Sequence, residues 1–195
     1  MKLPRAFYCR DTLTVTRELL GKHLVHDSDE GKTTGKIVEV EAYMGPGDAA
    51  AHSYKGIRSS RTRIQYGPGG YAYIFLIYGM YYCFNIVTSV QDRPEVVLVR
   101  ALEPVDGIDL MKKRRRTDKT INLCNGPGKL CTAMGITARH YGADLCGDEL
   151  YLTTGEDVED AAVEATPRIN IDYAGEAKHY LWRYVIKGSK FVSKP

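Results

Sequence analysis

The segment Lys36-Ile37-Val38-Glu39-Val40-Glu41-Ala42-Tyr43 runs directly into residues that cannot extend it, Gly45-Pro46-Gly47-Asp48. It alternates and is rich in β-branched side chains, which predicts a strand over 36–43. A period of two puts Glu39, Glu41 and Tyr43 on one face and Val38, Val40 and Ala42 on the other. Glu41 and Tyr43 then sit near the strand's end, with Ala51-His52-Ser53 a few residues on, where a loop can gather binding groups. An edge strand with a solvated carboxylate face fits the same pattern.

The remaining punctuation predicts an α+β chain. Asp11 can cap a helix over 12–20, ended by Gly21. Strands follow near 22–27 and 35–43, split by the turn Asp27-Ser28-Asp29-Glu30-Gly31. Residues 44–70 are rich in glycine, proline and basic side chains, and are too long for an idle connection. Strands Tyr71–Ile77 and Tyr81–Val87, joined through Tyr78-Gly79-Met80, form a hairpin. Its tip carries Tyr78, Met80 and Tyr81, so it is either buried or inserted into something. The apolar strand 96–102 contains Arg100, which needs an anion if buried, or water at a strand end. A helix over 105–116 ends in five basic residues. A second starts at Asn125-Gly126-Pro127-Gly128 and runs to Gly135, with Lys129 in its first turn. Strands near 149–154, 168–172 and 180–186 complete one domain, residues 1–195. Its expected architecture is a mixed, mostly antiparallel curved sheet with peripheral helices and a protruding hairpin.

At 195 residues this is enough chain for a substantial core. No apolar run approaches a membrane span, and the first residues lack a signal-peptide core, so a cytoplasmic protein is expected, at the nucleoid if the source is bacterial. The five cysteines are scattered without a Cys-x-x-Cys pair and read as reduced thiols. His23 and His26 read as structural, with no metal or cofactor expected. The net charge of +3 hides a polarity: residues 141–176 hold ten acidic side chains against Arg168, leaving the rest at +12. Basic groups cluster at Lys55-Arg58-Arg61-Arg63 and at residues 112–116. Such a surface suits a polyanion, although each cluster alone also describes a solvated face.

There is no Walker loop, no Gly-x-Ser-x-Gly elbow and no zinc-deaminase pattern. What remains is a carboxylate (Glu41), a strand arginine (Arg100), aromatic faces (Tyr43, Tyr73, Phe75), His52 and a wedge-like hairpin. A carboxylate can activate water and stabilise an oxocarbenium-like centre. Aromatic faces hold a planar base, and cations anchor phosphates. Together these point to hydrolysis at a nucleotide's sugar. A free-nucleoside hydrolase shares this chemistry but needs neither the hairpin nor the basic surface. A non-catalytic binder of damaged DNA would have no use for Glu41.

Six ordered blocks then carry a resemblance: Leu19-Leu20-Gly21-Lys22, Ile37 to Tyr43, Asp48 to Ser53, Ile77-Tyr78-Gly79-Met80, Val99 to Pro104, and Asn125 to Cys131. Over nearly its whole length the chain resembles the 3-methyladenine DNA glycosylases of the alkyladenine (methylpurine) type. The resemblance implies Glu41 as general base, with Arg100 and the main chain at Ile169 completing the shell of the attacking water. It implies Tyr43 and His52 as the walls around a flipped base, and Asn85 as the group that crowds the exocyclic amine of an undamaged guanine. Tyr78 would fill the vacated space from the minor groove, flanked by Met80 and Tyr81. Arg58, Arg61, Arg63 and Lys129 would meet phosphates. Phe75 departs from the family's Tyr-x-Tyr, keeping the stacking face and losing a hydroxyl. The acidic segment 141–162 matches no block and is expected to lie away from DNA.

The expected substrate is duplex DNA with alkylated or deaminated purines, with no membrane and no obligate protein partner. With no lysine near the motif, simple hydrolysis to an abasic site is expected.

Overall fold

The structure, a computed structural model, describes residues 1–194. Its order is α1 (Arg5–Tyr8), α2 (Thr12–Glu18), β1 (His23–Ser28), β2 (Gly31–Tyr43), β3 (Ala72–Ile77), β4 (Tyr81–Thr88), β5 (Glu95–Asp106), α3 (Ile108–Arg115), α4 (Pro127–Met134), β6 (Leu150–Thr153), β7 (Val163–Thr166) and β8 (Arg183–Ile186). The α+β class, the antiparallel sheet and the hairpin are as expected. The strands order as β3-β4-β5-β2-β1-β6, and every pair is antiparallel.

The 13-residue β2 is the axis of the molecule. It pairs with β5 along one side. On the other side β1 takes residues 31–36 and β8 takes Glu39, Val40 and Glu41. An edge strand with wet carboxylates is therefore not what forms: Ile37 to Ala42 are buried without exception. Register shifts against β5 between Ile37 and Val40 mark bulges, which bend and twist a strand.

The core joins Leu19, Leu20, Ile37, Val40, Phe84, Val97, Val99, Leu102 and the inner face of α4. Asp11 caps α2, accepting from the Thr14 N–H at 2.9 Å. Several boundaries differ from expectation: the strand expected from 35 starts at Gly31 and the one expected from 180 starts at Arg183. The helix predicted from 105 begins at Ile108, because β5 continues to Asp106 and Gly107 turns the chain at φ +68°. The strand predicted at 168–172 does not form; β7 lies earlier, at 163–166. Pro167 follows β7 without an N–H to continue a ladder, and Asn170 takes φ +60°, which breaks an extended run.

Candidate active site

Glu41 and Tyr43 end β2 as the alternation predicts, and β5 brings Arg100 alongside. Glu41 is fully buried. Its Oε1 accepts the Ile169 N–H at 2.7 Å, and its Oε2 accepts from the Tyr43 hydroxyl at 2.9 Å and from Arg100 Nη1 at 3.3 Å. Burial, then the adjacent Glu41 carboxylate, pushes the Tyr43 phenol far above its ordinary value, so it remains a donor.

Glu39 anchors a second ring of contacts. Its Oε1 accepts from Arg100 Nε at 2.8 Å, Arg183 Nε at 2.9 Å and the Ser193 hydroxyl at 2.8 Å, and its Oε2 accepts the Ser193 N–H at 2.6 Å. Burial pushes the Glu39 carboxyl up, but Arg100, the Ser193 N–H and Arg183 outweigh it and the group lies below its ordinary value. Arg100 is held charged: burial lowers it, while Glu41 and Glu39 raise it further.

Asp48 explains the Gly45-Pro46-Gly47 exit. Its carboxylate accepts the N–H groups of Met44 and Ala50, each at 3.0 Å, and pairs with buried Arg168 at 2.5 and 2.8 Å. Arg168 also donates to the Ala42 carbonyl at 2.9 Å and lies between the Tyr43 and Trp182 rings, 4.7 and 5.0 Å from their centroids. One face of Tyr43 is thereby backed by a cation.

These groups open onto a cavity of about 620 Å³ lined by Tyr43, His52, Phe75, Asn85, Arg100 and Ile169, among others. His52 stands edge-on to Phe75, with centroids 4.7 Å apart. Its Nδ1 is 2.7 Å from the Tyr73 hydroxyl, so the hydroxyl that reaches the ring comes from Tyr73 and not from position 75. Asn85 donates to the Tyr73 carbonyl at 3.1 Å from the buried wall. Arg61, expected at a phosphate, instead donates to His52 Nε2 at 2.9 Å and to the Tyr73 hydroxyl at 3.2 Å, with its guanidinium over Phe75. Burial, and after it Arg61, pulls His52 down to about 4, so the imidazole is neutral.

The hairpin tip stands at the cavity's rim, where Tyr78 and Tyr81 contribute to the lining. Tyr78, Met80 and Tyr81 are exposed, Tyr78 by 74%. Tyr78 and Gly79 both have positive φ, +53° and +69°, the sign demanded by a type I′ turn. Tyrosine adopts it at a cost of about 1–2 kcal/mol. Gly128 at the start of α4 abuts the hairpin base: a Cβ there would fall 2.9 Å from that of Tyr81. Lys129 donates to Asn125 at 2.9 Å. Arg58 pairs with Asp92 at 2.8 Å. Arg63 is exposed and makes no ion pair among the described residues. In the acidic segment, Asp144, Asp157 and Asp160 pair with Arg5, Lys22 and Arg17.

The structure thus brings Glu41, Arg100, Tyr43, His52 and the hairpin tip together around one cavity, and sets beside them Glu39, Arg168, Arg183, Arg61 and Ser193, which the sequence alone did not place there. Arg183, between Trp182 and Tyr184, carried the same signal as Arg100: a lone cation in an apolar run.

Comparison with known proteins bears on what this arrangement is. Residues 6–190 match the family model described as methylpurine-DNA glycosylase (MPG). A protein of Clostridium acetobutylicum is 53% identical over 99% of this chain and 98% of its own length. One of Bacillus cereus is 52% identical over the full length of both, and one of Clostridium novyi is 51% identical. Each bears the name "Putative 3-methyladenine DNA glycosylase". No helix among the described residues is long and apolar enough to cross a membrane. A buried carboxylate beside an aromatic cavity, in a chain matched almost end to end, leads to one conclusion: the chain belongs to the methylpurine-DNA glycosylase family, enzymes that hydrolyse N-glycosyl bonds.

Proposed function

We propose that this chain acts as a single-domain, monofunctional glycosylase that takes alkylated or deaminated purines out of duplex DNA, leaving an abasic site. The observation that carries the reading is Glu41, a fully buried carboxylate directly behind a cavity large enough for a purine, its oxygens fixed by Ile169, Tyr43 and Arg100, which line that cavity. Glu41 acts as general base toward a water held with Arg100 and the Ile169 main chain. The Glu41 carboxylate also stabilises positive charge developing on the sugar.

Extrusion costs a few kcal/mol, least for a damaged or mispaired base, and stacking on aromatic faces returns roughly 1–3 kcal/mol. Tyr43 and His52 form the two walls. An alkylated, cationic purine gains further from the ring faces, and a neutral His52 adds no opposing charge. Asn85 crowds the exocyclic amine of guanine. Tyr78, flanked by Met80 and Tyr81, fills the space the base leaves, while Arg58, Arg63 and Lys129 meet phosphates. Arg61 serves the pocket wall. A neutral purine such as hypoxanthine takes its leaving-group proton from water or from its own contacts.

The deciding experiment uses Glu41→Gln on duplexes carrying one 3-methyladenine, 7-methylguanine, hypoxanthine or ethenoadenine. Base release should collapse while lesion binding persists. Retained release would remove Glu41 as the base, and equally rapid cleavage of free nucleosides by the unaltered protein would remove the DNA reading.

A further inference from the structure

His26 of β1 meets His140, which closes a single 3-10 turn (Ala138–His140) after α4. Both are buried. Their rings are perpendicular, at 89°, and their Nε2 atoms are 3.2 Å apart. Glu149, one residue before β6, sets Oε1 3.7 Å from His26 Nε2 and 3.6 Å from His140 Nε2. Those two separations exceed normal hydrogen-bond lengths. They lie within about 0.1 Å of the edge of a coordination tetrahedron, about 3.3–3.6 Å for nitrogen and oxygen ligands at roughly 2.0–2.2 Å.

The outer contacts suit ligation as well. His26 Nδ1 lies 2.6 Å from the Met134 carbonyl, to which it donates, so the lone pair of Nε2 points inward. His140 Nδ1 lies 3.3 Å from the Thr137 carbonyl and 3.0 Å from the Thr137 N–H. Donating to that carbonyl frees its Nε2 as well, and a backbone carbonyl behind each imidazole is the usual support of a ligating histidine. In the other tautomer, the Thr137 N–H, His140, His26 and the Met134 carbonyl form a neutral hydrogen-bond chain, which serves the metal-free protein.

We propose that His26, His140 and Glu149 bind one divalent transition-metal ion, with zinc the best match to two imidazoles and a carboxylate in tetrahedral array. The half-exposed side of Glu149 leaves the fourth position to water. Arg139, whose Nη2 is 2.7 Å from Glu149 Oε1, competes for that oxygen and is exposed enough to swing aside. The ion would join β1, the turn after α4 and the approach to β6, three pieces far apart in the chain. It would brace the rear of α4, whose front lines the cavity. The sequence reading of His26 as merely structural lacked His140 and Glu149, which only the fold brings near.

The test strips the full chain with chelator, then titrates it with zinc by calorimetry and with Co²⁺ by visible absorption. One equivalent of zinc, a raised thermal midpoint and a tetrahedral Co²⁺ spectrum are expected. Glu149→Gln, at a half-exposed position that should not disturb folding, should weaken binding by more than about tenfold, Arg139→Gln should tighten it, and His52→Gln should leave it unchanged. Binding that survives Glu149→Gln undiminished, or is lost with His52→Gln, would overturn the assignment. So would the absence of any stoichiometric binding.

Discussion

Arg100 sits closer to Glu39 than to Glu41: its Nε is 2.8 Å from the first carboxylate and its Nη1 is 3.3 Å from the second. The arginine beside the proposed general base is thus oriented mainly by a second buried carboxylate, which does not line the cavity and shares Arg183 and Ser193.

Glu39 is accordingly a positioning residue. Glu39→Leu removes the shared anion from two buried guanidiniums, and breaking a buried pair costs about 3–5 kcal/mol. Urea unfolding should show a loss of that order. Glu39→Gln, which keeps an acceptor, should be milder and should lower kcat for base release more than it raises KM. A Glu39→Leu protein as stable as the parent would show that the network contributes nothing to the fold.

Arg61 and His52 supply a pH signature. His52 titrates at about 4 in the folded chain, below an unfolded imidazole at roughly 6.5. Neutral His52 therefore contributes fully above roughly pH 6.5, and that contribution is lost as pH falls toward 4, because the unfolded chain takes the proton first. Arg61→Gln should raise the midpoint, followed by NMR of the ring protons. Burial is the larger cause, so the return toward the ordinary value should be partial. A midpoint that does not move would detach Arg61 from the imidazole.

Tyr78 holds a positive φ that glycine accepts freely, so a purely structural tyrosine there would be poorly chosen. Tyr78→Ala should weaken lesion capture on paired duplex more than on a single strand, measured by fluorescence anisotropy. Equal losses on both would count against a wedge.

The cations separate by salt dependence. Arg63→Gln and Lys129→Gln should each reduce the slope of log affinity against log salt by about 0.9. Arg61→Gln should change it little, since its guanidinium is already engaged by His52 and Tyr73. Four parallel slopes, including that of the parent, would take these side chains out of the phosphate path.

Local chemistry alone determined much of this protein. The alternation of 36–43, the glycine and proline that end it, the Asp11 cap and the Tyr78-Gly79 turn each act over a few residues, so the strands, helix starts and hairpin were legible. So were Glu41, Tyr43 and Arg100, because a charge in an apolar strand announces a partner. Tertiary structure decided who those partners are. Whether β2 is an edge or the axis depends on β1, β5 and β8 arriving from distant segments. That burial turns Glu39 from a wet carboxylate into the hub for Arg100, Arg183 and Ser193. The fold likewise brings Arg61 to His52, and it sets His26 beside His140 and Glu149. Pairing energies across such separations in the chain depend on distance in space and on exclusion of water, and neither is written in the order of residues.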